Sequence, residues 1–84
     1  MDGSRLVFFE FSRQKATGLE REKYRYHFMN ASNQLVFRYD NAPHHPEIVT
    51  FPHHKHLPNV VTGSLVPCFA DVLIEVESHV LELL

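Results

Sequence analysis

From Glu22 to Met29 the chain alternates, with Tyr24, Tyr26 and Phe28 on one side and Lys23, Arg25 and His27 on the other. A period of two over that length marks a half-buried β-strand. Arg5 to Arg13 repeats the pattern with Val7, Phe9 and Phe11 on one side. Its other side is only half polar, because Leu6 and Phe8 precede Glu10 and Ser12. Gln34 to Asp40 resumes alternation with Leu35, Phe37 and Tyr39. Asn30, Ala31, Ser32 and Asn33 carry turn chemistry, since Asn tolerates a left-handed backbone. With all four in a hairpin loop, Met29 faces Gln34, and Phe28 with Leu35, Tyr26 with Phe37 and Tyr24 with Tyr39 become cross-strand pairs. The same register sets Arg25 opposite Arg38 and His27 opposite Val36. Opposed guanidinium groups either splay into water or hold an anion between them.

Beyond Asp40 the alternation stops. Pro43, Pro46, Pro52 and Pro58 exclude a regular helix and disfavour a central strand, so residues 41–58 are expected as a loop crossing the sheet. Helical spacing begins at Phe69, where Phe69, Val72, Leu73, Val76, Val80, Leu83 and Leu84 form an apolar stripe. Pro67 precedes it, and Asp71 falls in the first turn, where a carboxylate suits the helix dipole. The fold class predicted is α+β: a small antiparallel sheet of three or four strands over about 5–40, a Pro/His-rich loop, and one C-terminal helix over about 69–84. The helix is expected to pack on Val7, Phe9, Tyr24, Tyr26, Phe28, Leu35 and Phe37, leaving Leu6 and Phe8 outward. With 84 residues, 44% of them hydrophobic, there is material for one core, and 1–84 is expected as a single domain.

Charge is unevenly spread. Up to His56 there are eight Lys and Arg against six Asp and Glu; from Leu57 onward there are four acidic residues and no Lys or Arg. The bias is too small to read as nucleic-acid binding by itself. The lone Cys68 excludes an internal disulfide, and no stretch is apolar enough for a signal peptide or membrane span, so a cytoplasmic protein is expected.

The chemistry concentrates in one stretch. Of seven histidines, five (His44, His45, His53, His54 and His56) lie close together in the Pro-rich segment beside Arg38, Asp40 and Lys55. Imidazole titrates near neutrality and serves as general acid, general base, phosphate ligand or metal ligand, while Arg38 and Lys55 suit phosphate. Prolines on both sides limit the freedom of the groups they flank. A His-ligated divalent metal such as zinc is one alternative, although no finger spacing, Cys pair or HExxH helix accompanies the histidines. The plainest alternative is a polar loop whose histidines bond to the backbone.

Tyr24 to Met29 (YRYHFM), Leu35 to Ile48 (LVFRYDNAPHHPEI), Phe51 to His56 (FPHHKH) and Ala70 to Leu73 (ADVL) resemble the TumE family of toxins, over roughly Tyr24 to Leu84. The resemblance implies a bacterial or archaeal type II toxin, encoded beside a helix-turn-helix antitoxin and acting on RNA. Cys68 departs from it, standing where members tend to carry a Ser-like helix cap, and the strand before Gly18 contributes no motif. Read from the residues themselves, the enzyme is a small endoribonuclease without metal or cofactor. His53 or His54, with His44 or His45 as second proton carrier, would work on the ribose 2′-OH and the leaving 5′-oxygen, with Asp40 as orienter. Arg25, Arg38, Lys55, His56 and His27 would bind substrate. The alternative class is a non-catalytic module that grips RNA or protein through the same loop. Leu6 and Phe8 would then serve a protein interface, with a homodimer or an antitoxin segment as partner.

Overall fold

A computed structural model of the chain describes residues 3–82. Five antiparallel strands lie side by side in chain order: β1 (Arg5–Lys15), β2 (Gly18–Met29), β3 (Leu35–Asp40), β4 (His54–Leu57) and β5 (Val60–Gly63). One helix, α1 (Phe69–Glu82), packs on one face. The α+β class and the helix start at Phe69 are as expected, and the extension of the helix to Leu83 and Leu84 lies outside the described residues. Among the described residues the strand count is five rather than three or four. The expected loop ends at residue 53, because β4 occupies the last part of the Pro-punctuated region, and β5 follows directly after it. Pro52 and Pro58 stand just outside the first and last residues of β4, so neither removes a donor from the ladder.

Under α1, Tyr24, Tyr26, Phe28, Phe37 and Val72 are buried together, with Leu6, Phe69, Val76 and Val80 packed against them. The Phe69 ring meets Phe8 at 4.7 Å between centroids and Tyr26 at 6.2 Å, and His79 lies against Phe28 and Phe37. The Asp71 carboxylate accepts from the Cys68 backbone N–H at 3.1 Å, which supplies the acidic half of a capping box without a hydroxyl cap. Lys55 Nζ donates to Glu75 Oε2 at 2.7 Å and lies over the Tyr39 ring, tying the middle of the sheet to the helix.

Two expectations about the sheet are corrected. The phase of β1 is reversed: Leu6, Phe8 and Glu10 pair with Phe28, Tyr26 and Tyr24 on the helix side, so Val7, Phe9 and Phe11 lie on the open face. Both sides of β1 are apolar, so alternation alone could not choose between them. The polar partners on β2 decide: Tyr26 OH donates to Glu10 Oε1, and Arg21 Nη1 donates to Tyr26 OH, an arrangement that needs Glu10 on the helix side. The β2–β3 register is displaced by two residues, with Tyr26 opposite Tyr39, Phe28 opposite Phe37, Arg25 opposite Asp40 and His27 opposite Arg38. The hairpin loop holds three residues rather than four: Asn30 N–H donates to Gln34 O at 2.9 Å, and Asn33 takes the left-handed position at φ 63°. That moves the register by one, which alone would turn the aromatic set outward. An irregularity between Phe28 and Met29, which leaves Val36 extra on β3, moves it by one more and returns the aromatic residues to the helix side. Arg25 therefore faces a carboxylate across the strands instead of another guanidinium.

Candidate active site

Strand alternation sorts the polar side chains between the faces. On the open face two rows of cross-strand partners run from β1 to β4: Phe9, Arg25, Asp40, His54, and beside it Val7, His27, Arg38, His56. His45, from the irregular segment, packs its ring on this face at 5.0 Å from His54 and 5.6 Å from His56.

At the centre is Asp40, 3% exposed. Its Oδ1 lies 2.8 Å from His54 Nε2 and accepts the Ala42 backbone N–H at 3.0 Å; its Oδ2 accepts Arg38 Nε at 3.0 Å. His54 Nδ1 donates to Pro52 O at 2.9 Å, so both nitrogens of this ring are engaged. Arg38 Nη2 donates to His56 Nε2 at 2.9 Å, which makes that nitrogen an acceptor; the 3.6 Å approach of His56 Nε2 to Asp40 Oδ2 is therefore a neighbour contact rather than an ion pair. Burial and the Arg38 charge hold the His56 imidazolium below its ordinary range. His45 Nδ1 lies 3.1 Å from Glu47 Oε1, which orients the ring and leaves its Nε2 for other work. Side-chain exposure separates the three rings: His54 is 2% exposed, His56 16% and His45 30%.

Of the residues singled out from sequence, Asp40, His45, His54, His56 and Arg38 form one connected cluster, with His45 joined to it through the His54 and His56 rings, and His27 and Arg25 share their face. His53 and Lys55 are elsewhere. His53 stacks on Tyr24 at 5.8 Å, with Nδ1 2.9 Å from Tyr24 OH, toward the helix side; burial pushes that hydroxyl up to about 12. Lys55 is held by Glu75 beneath α1. His44 is exposed in the turn that its N–H closes on Ala42 O. The sequence reading missed a cleft of about 450 Å³ beside Asp40, lined by Phe9, Lys23, Arg25, Asn41 and Pro43 among others. The available signal was the second apolar side of β1.

The ligating atoms of His45, His54 and His56 lie within 4.8 Å of one another, a separation that invites a metal ion. An ion bound through the Nε2 atoms would compete with contacts those atoms already make. The Arg38 guanidinium occupies the His56 Nε2 lone pair and would place its positive charge against the ion, and His54 Nε2 is already committed to Asp40.

The histidines also set a pH dependence of stability. His27, His53 and His56 all titrate below the ordinary value of 6.5: burial is the main cause in each, reinforced by Arg38 and Arg25 at His27, Arg21 at His53 and Arg38 at His56. Folded-state values below the unfolded ones mean that the unfolded chain binds more protons. Stability is then complete above about pH 6.5 and is lost as the pH falls through the folded values. Melting temperatures measured from pH 8 downward are expected to hold and then decline below about pH 6.5; a rise over that interval would contradict this assignment.

Among the described residues, no helix is long and apolar enough to cross a membrane. A model of the family described as Toxin TumE matches residues 1–82, which extends the similarity through β1 to the first residue. No curated protein and no solved structure matches the chain.

Proposed function

We propose that this chain, which belongs to the TumE toxin family, is a metal-independent endoribonuclease whose activity a cognate antitoxin holds in check. What supports the chemistry is one network: two partly exposed imidazoles, His45 and His56, standing over a buried Asp40–His54 pair with Arg38 between them.

His54 is enclosed and bonded at both nitrogens, so it positions Asp40 and the neighbouring rings and does not reach an RNA strand. His56 is the general base. An arriving phosphate draws the Arg38 guanidinium away from His56 Nε2, and the freed lone pair takes the 2′-OH proton while Arg38 stabilises charge on the phosphorane. Its lowered titration keeps His56 neutral and ready for that step near neutral pH. His45, fixed through Nδ1 by Glu47, returns a proton from Nε2 to the leaving 5′-oxygen. Arg25 and His27, next along the two rows, meet the flanking phosphates.

The test is cleavage of an RNA oligonucleotide and its all-DNA counterpart by the purified chain, with excess EDTA and across pH. RNA cleavage that resists chelator, follows a bell-shaped pH profile and spares DNA is the expected outcome, since one imidazole must be neutral and the other protonated. Activity abolished by chelator and restored by zinc or manganese would replace this reading with a His-ligated metal.

A further inference from the structure

The helix covers one side of the sheet, and the other side carries exposed aromatic rings among cations. Phe9 is 56% exposed and Phe11 42%. Their β2 neighbours on that face are Lys23, paired with Phe11, and Arg25, paired with Phe9. We propose that this open face is a platform for single-stranded RNA, with a base stacked on Phe9 in the cleft beside Asp40 and the adjoining phosphates held by Lys23 and Arg25.

The proposal rests on RNA being the substrate and adds where and how the strand lies. Phe9, Arg25, Asp40 and His54 are successive partners in one row across four strands, so stacking ring, cation and His–Asp pair are in line. Neighbouring strands are about 4.8 Å apart, which makes the row from Phe9 to His54 about 14 Å long, a reach of a few nucleotides. The cleft shares Asp40 with the imidazole network, so a base seated on Phe9 sits one strand spacing from the Arg25 cation and two from Asp40. The chemistry of the face also selects its occupant. Lysine is depleted at the centres of protein interfaces, whereas here Lys23 stands directly against Phe11, one of the exposed rings. Alternating π-faces and cations suit a strand with splayed bases and a charged backbone, and a duplex offers no unstacked base to the ring.

The probe is a fluorescent RNA of about ten nucleotides, 2′-O-methylated throughout so that it cannot be cleaved, followed by anisotropy against the full-length chain at several salt concentrations. Phe9→Ala is expected to weaken binding about 10-fold or more at fixed salt with the salt slope unchanged. Phe9→Trp should restore affinity and Phe9→Leu should not. Arg25→Ala should reduce the slope of log affinity against log salt by about 0.7. Wild-type affinity in Phe9→Ala, or full rescue by Leu, would overturn the platform, and a change in sedimentation of that variant would assign the face to a second copy. The same variants assayed on ordinary RNA separate the two claims. Cleavage with an unaltered KM in Phe9→Ala removes the platform and keeps the nuclease, whereas Phe9-dependent binding without any cleavage by the wild type keeps the platform and removes the nuclease. A wild-type chain that binds no RNA removes both.

Discussion

His56→Ala is expected to lower the rate of RNA cleavage by about 10²-fold or more, because it removes the group that takes the 2′-OH proton. The loss should appear in kcat more than in KM, and the acidic limb of the pH profile should disappear with it. His53→Ala is the contrast: its ring stacks on Tyr24 and bonds Tyr24 OH away from the network, so its cost should appear in the melting temperature and not in the rate. Comparing the two variants at matched folded fraction decides the matter. Equal rate losses would show that the two faces act as one site, or that neither imidazole carries a proton.

Asp40→Ala should unfold or nearly unfold the protein. The carboxylate is 3% exposed and is the shared acceptor for Arg38 Nε, the His54 ring and the Ala42 N–H. Removing one partner from a buried charged network costs about 3–5 kcal/mol, against about 5–15 kcal/mol for the whole stability of an ordinary domain. A chain of 84 residues belongs toward the lower part of that range. Asp40→Asn keeps the shape and the acceptor toward Ala42 N–H but loses the charge, so it should lie between the two. Denaturant midpoints for the three chains measure the series. An Asp40→Ala protein within about 1 kcal/mol of wild type would mean that the buried pair contributes little and that its partners find water instead.

Where one side of an element is clearly polar, the sequence was enough. The β2 alternation placed Tyr24, Tyr26 and Phe28 in the core, and the stripe from Phe69 placed the helix, because in each case burial of the opposite side would strand charges. β1 failed that condition. Leu6 and Phe8 compete with Val7, Phe9 and Phe11, and only Glu10, as acceptor for Tyr26 OH and Arg21, resolves the choice. The hairpin register depended on a three-residue loop and on one extra residue at Val36, neither of which an Asn-rich tetrapeptide reveals. As for the site, the concentration of histidines was legible, but not its division. Four residues of β4 between two prolines are too short to read as a strand, yet that strand sends His54 and His56 to the open face and Lys55 under the helix. With it in hand, alternation separates the network from its neighbours. It also shows why Phe9, one of a run of apolar residues, shares a face with the imidazoles.

The fate of the 2′-oxygen tests the His56 mechanism most directly. An RNA oligonucleotide with a mapped cleavage site, and the same strand with a single 2′-deoxy substitution at the residue before the cut, are incubated with the purified chain in excess EDTA and the product ends determined. If His56 activates the 2′-OH, the all-ribose strand yields a 2′,3′-cyclic phosphate and a free 5′-hydroxyl, and the substituted strand is not cut at that position. Cleavage of the substituted strand at the same position, or products ending in 3′-hydroxyl and 5′-phosphate, would contradict it.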